Sequence, residues 1–294
     1  MAAQLHIENF KAFADLILGV SEGIPFNILE VGAVPLDGHD ELFHQLLDVF
    51  PGSNIYAFEL DEGLCRNLNQ NAKQGLEYFP IALGRTEETR QLYETVHPMC
   101  SSLYRPNEEF ISQYDKMDVA MLKQVSPIET ISLDRFARDN QIGDIDFIKI
   151  DVQSAELDIF QGGVNTLKDV VMIISEVEFV PLYSDQPLFG DVCKFLAESD
   201  LMFQNFLNIG RRVLKPFIFS DPNKGSHFFW ADALFTRNIL QLSELSVEKL
   251  LKMAVLSFLY GFPDFSLRYI SIVDQRQRTN LGQKFIDITG LARA

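Results

Sequence analysis

Apolar residues recur along this chain in two alternating rhythms. Runs of strand length at 26–31, 54–60, 76–83 and 169–178 are separated by segments whose apolar residues follow helical spacing. Between the first two runs, Leu42, Phe43, Leu46, Leu47 and Phe50 predict a helix over 41–50, closed by Pro51-Gly52. Asp61 is a suitable N-cap for the next helix, which turns Leu64, Leu68 and Ala72 inward. The rhythm becomes irregular over 88–125, where strands near 89–95 and a polar Ser101-Ser102-Leu103 stretch suggest an insertion or lid. It resumes with a short strand at 128–133, a helix capped by Asp134 and reaching Asn140, and a strand at 145–152. That last strand is nearly continuous in Ile, Phe and Val, as a central parallel strand covered on both faces should be. A helix to Phe160 stops at Gly162-Gly163, another covers 192–196, and strands at 201–209 and 228–236 close the series.

Repeated β-α-β units of this kind predict a doubly wound, mostly parallel α/β sheet with an antiparallel edge. The amino-terminal segment 5–18 reads as a helix. Past Arg237 only helices are expected: one capped by Ser246, with Leu250, Leu251, Ala254, Leu256 and Leu259 on its apolar face, and a shorter one over 267–273. The chain therefore divides into a sheet domain, 1–238, and a C-terminal helical appendage, 239–294, suited to packing or homodimerisation.

Charged groups interrupt the buried strand at 145–152. Asp151 falls at its carboxyl end, where open α/β sheets bind ligands, and Glu156 and Asp158 follow in the next helix. Two readings of Asp151 stand: a site residue, or the cap of the helix beginning near Ser154. Glu156 likewise reads either as a site acid or as a first-turn acid favoured by the helix dipole.

A second constellation lies upstream. The strand Ile28-Leu29-Glu30-Val31 runs into Gly32-Ala33, and the next strand ends in Tyr56-Ala57-Phe58-Glu59. Glycine permits a tight turn against a ligand, and an acid ending the second strand can accept both hydroxyls of a ribose. A nicotinamide-dependent oxidoreductase is disfavoured, because the G-x-G-x-x-G of dinucleotide sites is missing and Pro35 removes a backbone donor that a pyrophosphate would use. With Glu30 beside the loop, a cationic adenosyl ligand fits better.

Composition restricts the remaining classes. A net charge of −16 argues against a nucleic-acid partner, and 47% hydrophobic residues with 25 phenylalanines argue against disorder. The three cysteines, Cys65, Cys100 and Cys193, are scattered, so neither a disulfide framework nor a zinc site is indicated. His39 and His44 are not spaced as a metal pair, and His97 and His227 suit structural positions better than substrate contact. Neither a membrane span nor a signal-peptide core appears, and a cytoplasmic location is expected.

The segment Asp146-Phe147-Ile148-Lys149-Ile150-Asp151-Val152-Gln153-Ser154-Ala155-Glu156 resembles the D-F-I-K-I-D-V-E-G-A-E of the FkbM family of class I methyltransferases. Glu30-Val31-Gly32-Ala33, Tyr56-Ala57-Phe58-Glu59, Ser101-Ser102-Leu103, Thr130-Ile131-Ser132-Leu133-Asp134 and Ile174-Ser175-Glu176-Val177 match further family segments in order. The resemblance spans roughly 26–238. It implies a Rossmann-like seven-stranded fold, S-adenosylmethionine as cofactor, and methylation of a hydroxyl on a sugar or other small natural product. Carried onto this chain, it places Gly32 and Ala33 near the methionine part of the cofactor, Glu30 near its ammonium, Glu59 on the ribose, and Leu60 and Ala82 beside the adenine. Asp151 is then the first choice for orienting or deprotonating the acceptor, followed by Glu156 and Glu176, with no metal assigned. The chain departs from the family where Val34-Pro35 replaces the usual loop and where Gln153 and Ser154 replace an acid and a glycine. These departures keep open a catalytically degenerate cofactor-binding or regulatory protein of the same fold.

Overall fold

The computed structural model describes residues 2–21, 23–33 and 41–291. The Val34-Pro35 departure, Gly38 and His39 lie outside them. Among the described residues ten strands form two sheets. They are β1 (Asn27–Val31), β2 (Asn54–Phe58), β3 (Leu76–Phe79), β4 (Ala82–Gly84), β5 (Glu88–Thr95), β6 (Leu122–Ser132), β7 (Phe147–Ile150), β8 (Met172–Glu178), β9 (Leu201–Arg212) and β10 (His227–Arg237). The helices are α1 (Ala2–Leu18), α2 (Gln45–Val49), α3 (Glu62–Asn71), α4 (Glu108–Ile111), α5 (Leu133–Asp139), α6 (Glu156–Gln161), α7 (Phe189–Glu198), α8 (Val247–Leu259), α9 (Pro263–Gln277) and α10 (Leu281–Thr289).

The main sheet has seven strands in the order β3-β2-β1-β7-β8-β10-β9, with β10 antiparallel to both neighbours. This is the expected doubly wound arrangement. The strand order reverses between β1 and β7, which pair in parallel from Ile28 opposite Phe147 to Val31 opposite Ile150. The carboxyl ends of these two strands form the switch point where such sheets take their ligands.

Strand alternation divides the core between two faces. Ile28, Ile55, Phe147, Met172 and Ile174 face α1, α8, α9 and α10, whereas Leu29, Val31, Ile148, Ile150 and Ile173 face α5, α6 and α7. The C-terminal helices, expected as an appendage, thus share one hydrophobic cluster with α1 and the sheet. Every residue from Leu250 to Leu259 is buried, which is the pattern of an interior helix rather than an amphipathic one. The apolar face expected to pack or dimerise is covered by the chain's own sheet and helices. Lys252 Nζ reaches Asp146 Oδ1 and Oδ2 at 2.9 and 3.0 Å, and Asp146 Oδ2 accepts from Asn27 N–H at 2.9 Å. One buried ion pair therefore ties α8 to the starts of β1 and β7.

Several boundaries differ from the sequence reading. The strand expected over 76–83 is two strands in different sheets, because Pro80, which lacks an N–H, ends the first. Asp134 does not cap α5; Ser132 holds that position, and the Asp134 carboxylate accepts from Asn165 and Thr166 instead. The 3₁₀ turn Leu42–His44 precedes a short α2 in place of one helix over 41–50. Asp61 and Ser246 do cap α3 and α8, accepting from Leu64 N–H and Lys249 N–H. The expected insertion carries β5, α4 and the start of β6, and these strands form the three-stranded second sheet with β4. No described helix is long and apolar enough to cross a membrane.

Candidate functional site

The switch point opens into a cavity of about 370 Å³, within the usual ~300–1,000 Å³ of small-molecule sites. Gly32, Glu59, Leu60, Ala82 and Asp151 all line it, so residues 119 positions apart along the chain share one wall. The backbone at the strand ends explains the glycine. Gly32 has φ of 84°, and a Cβ there would fall 1.9 Å from the Asp151 carbonyl oxygen. Only glycine accommodates both the left-handed turn and this approach. The Gly32 and Ala33 N–H groups both donate to the Phe58 carbonyl, at 3.1 and 2.9 Å, and Asp151 N–H donates to the Val31 carbonyl. β1, β2 and β7 are thereby locked together at the cavity floor.

Glu59 follows β2 directly. Its Oε1 accepts from the Asp61 N–H at 2.9 Å, and among the described residues its second oxygen forms no hydrogen bond. Leu60, Leu64, Ile81 and Ala82 add apolar wall around it. The lid closes the opposite side with Leu92, Pro98, Met99 and the Ser101-Ser102-Leu103 stretch. Ser102 Oγ donates to the Gln153 carbonyl at 2.5 Å, joining the lid to the β7–α6 loop.

Glu30 is elsewhere. It shares the strand face of Ile28, away from Val31, and is absent from the described lining of the cavity. Its Oε2 meets His44 Nε2 at 2.8 Å, and both side chains are buried. Ala33 is buried on that same face and is also not among the lining residues.

Asp151, Glu156 and Glu176 come together, with ligand oxygens all within 4.8 Å of one another. Only Asp151 reaches the cavity. Glu156 is buried behind it as the first residue of α6, with Oε1 accepting from Val152 N–H at 2.8 Å. Burial pushes its carboxyl well above the usual carboxylate range, and the nearby Glu178 adds to the effect. Burial and then the Asp151 charge push Glu176 up in the same direction. Glu178, one strand alternation further along β8, is raised by burial to about 8, the Ser154 hydroxyl pulling the other way. Asp151 does not cap α6, whose N-cap position is Ala155.

Gln153 organises this cluster, a role that spacing alone did not reveal. Its Nε2 donates to Asp151 Oδ1 at 3.0 Å and to Glu176 Oε2 at 2.5 Å, while its Oε1 accepts from the Tyr183 hydroxyl at 3.0 Å. A glutamate here would bring a third carboxylate against two others; the amide supplies donors instead. Gln153 and Ser154 have φ of 55° and 82°. The loop keeps the left-handed path that glycine takes freely, at a cost of roughly 1–3 kcal/mol for a non-glycine residue. Lys149 lies beneath the cluster. Burial would lower its pKa, but Asp151, Asp232, Glu176 and Glu41 outweigh that and keep it charged. His227 Nδ1 pairs with the Tyr114 hydroxyl at 2.7 Å, and His97 is exposed on the lid.

No curated protein matches the chain. A solved structure from Streptococcus pneumoniae, Sp1610, provisionally described as a tRNA (m1A22) methyltransferase, is 13% identical with a TM-score of 0.34, covering 92% of this chain and 96% of that one. A likeness that distant adds nothing to the assignment. The methyltransferase FkbM domain model matches residues 30–204, more than half of the chain, from the end of β1 into β9. The chain belongs to the FkbM methyltransferase family.

Proposed function

We propose that this methyltransferase uses S-adenosylmethionine to methylate a hydroxyl oxygen on a sugar or other small natural product. The observation that carries the reading is the single cavity uniting the Gly32 turn, the Glu59 carboxylate and Asp151 at the switch point. The residues present suit the cofactor. The glycine lets the floor approach closely, Glu59 offers an oxygen free to accept from a ribose, and Leu60 and Ala82 supply apolar surface for a purine. When bound, the cofactor supplies an activated methyl group on a sulfonium.

The chain supplies position and a proton acceptor. A hydroxyl is a weak nucleophile, and alignment with the bond to be broken accounts for much of the acceleration in such transfers. Asp151 is the only acid of its cluster that faces the cavity, so it is assigned to orient the acceptor hydroxyl and take its proton. Gln153 holds Asp151 in place through Oδ1. Glu156 and Glu176, driven toward their neutral forms by burial, back Asp151 without competing for the acceptor. The retention of Asp151 in the cavity wall favours turnover over a purely binding role.

Calorimetry with S-adenosylhomocysteine tests the cofactor assignment. The wild-type chain is expected to bind, and Glu59→Ala to bind about 10–100-fold more weakly, the loss for hydrogen bonds to a charged group. Equal affinities would overturn the ribose assignment, and no heat at millimolar ligand would overturn the enzyme reading itself.

A further inference from the structure

A second surface shares no lining residue with the cavity just described. The β9–β10 connection ends in a tip of large apolar side chains: Leu214, Phe217, Ile218 and Phe219 are 55%, 69%, 74% and 42% exposed. Singly exposed apolar residues are ordinary; four along six positions form a patch of the kind that marks an interaction site.

The tip is held in place. Lys215 N–H donates to the Gln113 carbonyl, Lys215 Nζ to the Ser112 carbonyl at 2.8 Å, and Lys116 Nζ to the carbonyls of Phe219 and Ser220 at 3.0 and 2.7 Å. The apolar side chains are presented outward by a braced loop. Presenting them therefore carries little further ordering cost on docking.

Charge distinguishes the partner. The chain as a whole has a formal charge of −16, yet residues 211–228 carry Arg211, Arg212, Lys215 and Lys224 against a single acid, Asp221. On the segment that braces the tip, 112–116, Asp115 and Lys116 offset one another, with Glu108, Glu109 and Asp118 flanking it. Among the described residues Arg212 forms no ion pair; its guanidinium lies over the Trp230 ring, 4.2 Å from the centroid, at the edge of a second cavity under the tip. Outward-pointing Phe and Ile ringed by Lys and Arg, on an otherwise acidic protein, match the chemistry of an anionic bilayer surface.

We propose that the 214–219 tip inserts Phe217, Ile218 and Phe219 into the interface of an anionic membrane, with Arg211, Lys215 and Lys224 meeting the lipid headgroups. The attachment is peripheral, since no described helix can span a bilayer. It brings the chain to the surface without any covalent step.

Sedimentation of the full chain with vesicles tests this directly, independently of cofactor binding. Phosphatidylcholine vesicles containing roughly a third phosphatidylserine are expected to carry the protein down, and phosphatidylcholine alone to leave it in solution. F217S/I218S/F219S is expected to lose binding by at least about tenfold, with only a small change in thermal midpoint because Phe217 and Ile218 are already mostly in water. R211E/K224E, with the apolar tip intact, is expected to lose a similar factor, about fivefold for each cation removed. Failure of the wild-type chain to sediment with the anionic vesicles would overturn the proposal. So would binding of the triple variant equal to wild type, or a concentration-dependent dimer abolished by the triple variant without vesicle binding, which would assign the tip to a second copy.

Discussion

Four carboxyl groups converge at the end of β7 and β8, and the molecule manages them residue by residue. Asp151 faces the cavity, Gln153 holds it in place with an amide, and Glu156, Glu176 and Glu178 are buried behind. The buried acids are raised, so they retain protons that the unfolded chain would have released. Glu178 titrates near 8 in the folded protein against an ordinary 4.5. Between those values the native state binds the extra proton, and stability falls as pH rises through the window. Glu156 and Glu176 act with the same sign. Replacing Glu178 with the isosteric glutamine removes its contribution. Thermal melting of Glu178→Gln from about pH 5 to about pH 8.5 is therefore expected to show a shallower decline than wild type, the variant gaining relative stability as pH rises. Each kcal/mol recovered corresponds to roughly 2–4 °C. Parallel curves would show that Glu178 does not hold its proton in the native state.

At the scale of elements, α8 joins the sheet through more than apolar contact. Lys252 emerges from a helix buried all round and meets Asp146 at the foot of β7, where that acid also receives the β1 backbone. Removing one partner strands a buried charge. Lys252→Ala is expected to cost about 3–5 kcal/mol in urea unfolding, and Asp146→Asn combined with Lys252→Met to recover part of that loss. A cost below about 1 kcal/mol would place the pair among ordinary surface ion pairs. The same helix shows where sequence reading stopped. Its N-cap and apolar residues were legible from local spacing, as were the β-α-β series and the order of the strands along the chain. That α8 forms a layer of the main core was not, because helical spacing identifies an apolar face but not what covers it. Pro80 was the local signal that separates β3 from β4 within the strand-like run 76–83. α10 was not read from the sequence, although Leu281, Phe285 and Ile288 recur there at helical spacing.

At the scale of the molecule, the candidate site is a product of topology. Gly32, Glu59 and Asp151 were legible because each ends a strand, and strand ends meet at the switch point of a doubly wound sheet. Glu30 lies at the end of the same strand as Val31, but strand alternation turns its side chain to His44 and away from the described lining of the cavity. The bridging role of Gln153 and the support from Tyr183 depend on left-handed backbone geometry and on a residue 30 positions away, neither of which spacing can display. The central claim is that one cavity holds the adenosyl cofactor against Asp151. A crystal structure of the chain with S-adenosylhomocysteine tests it most directly. The ribose hydroxyls are expected on Glu59, the adenine between Leu60 and Ala82, and the sulfur facing Asp151. Ligand bound outside this cavity, or bound within it with Asp151 turned from the sulfur, would contradict it.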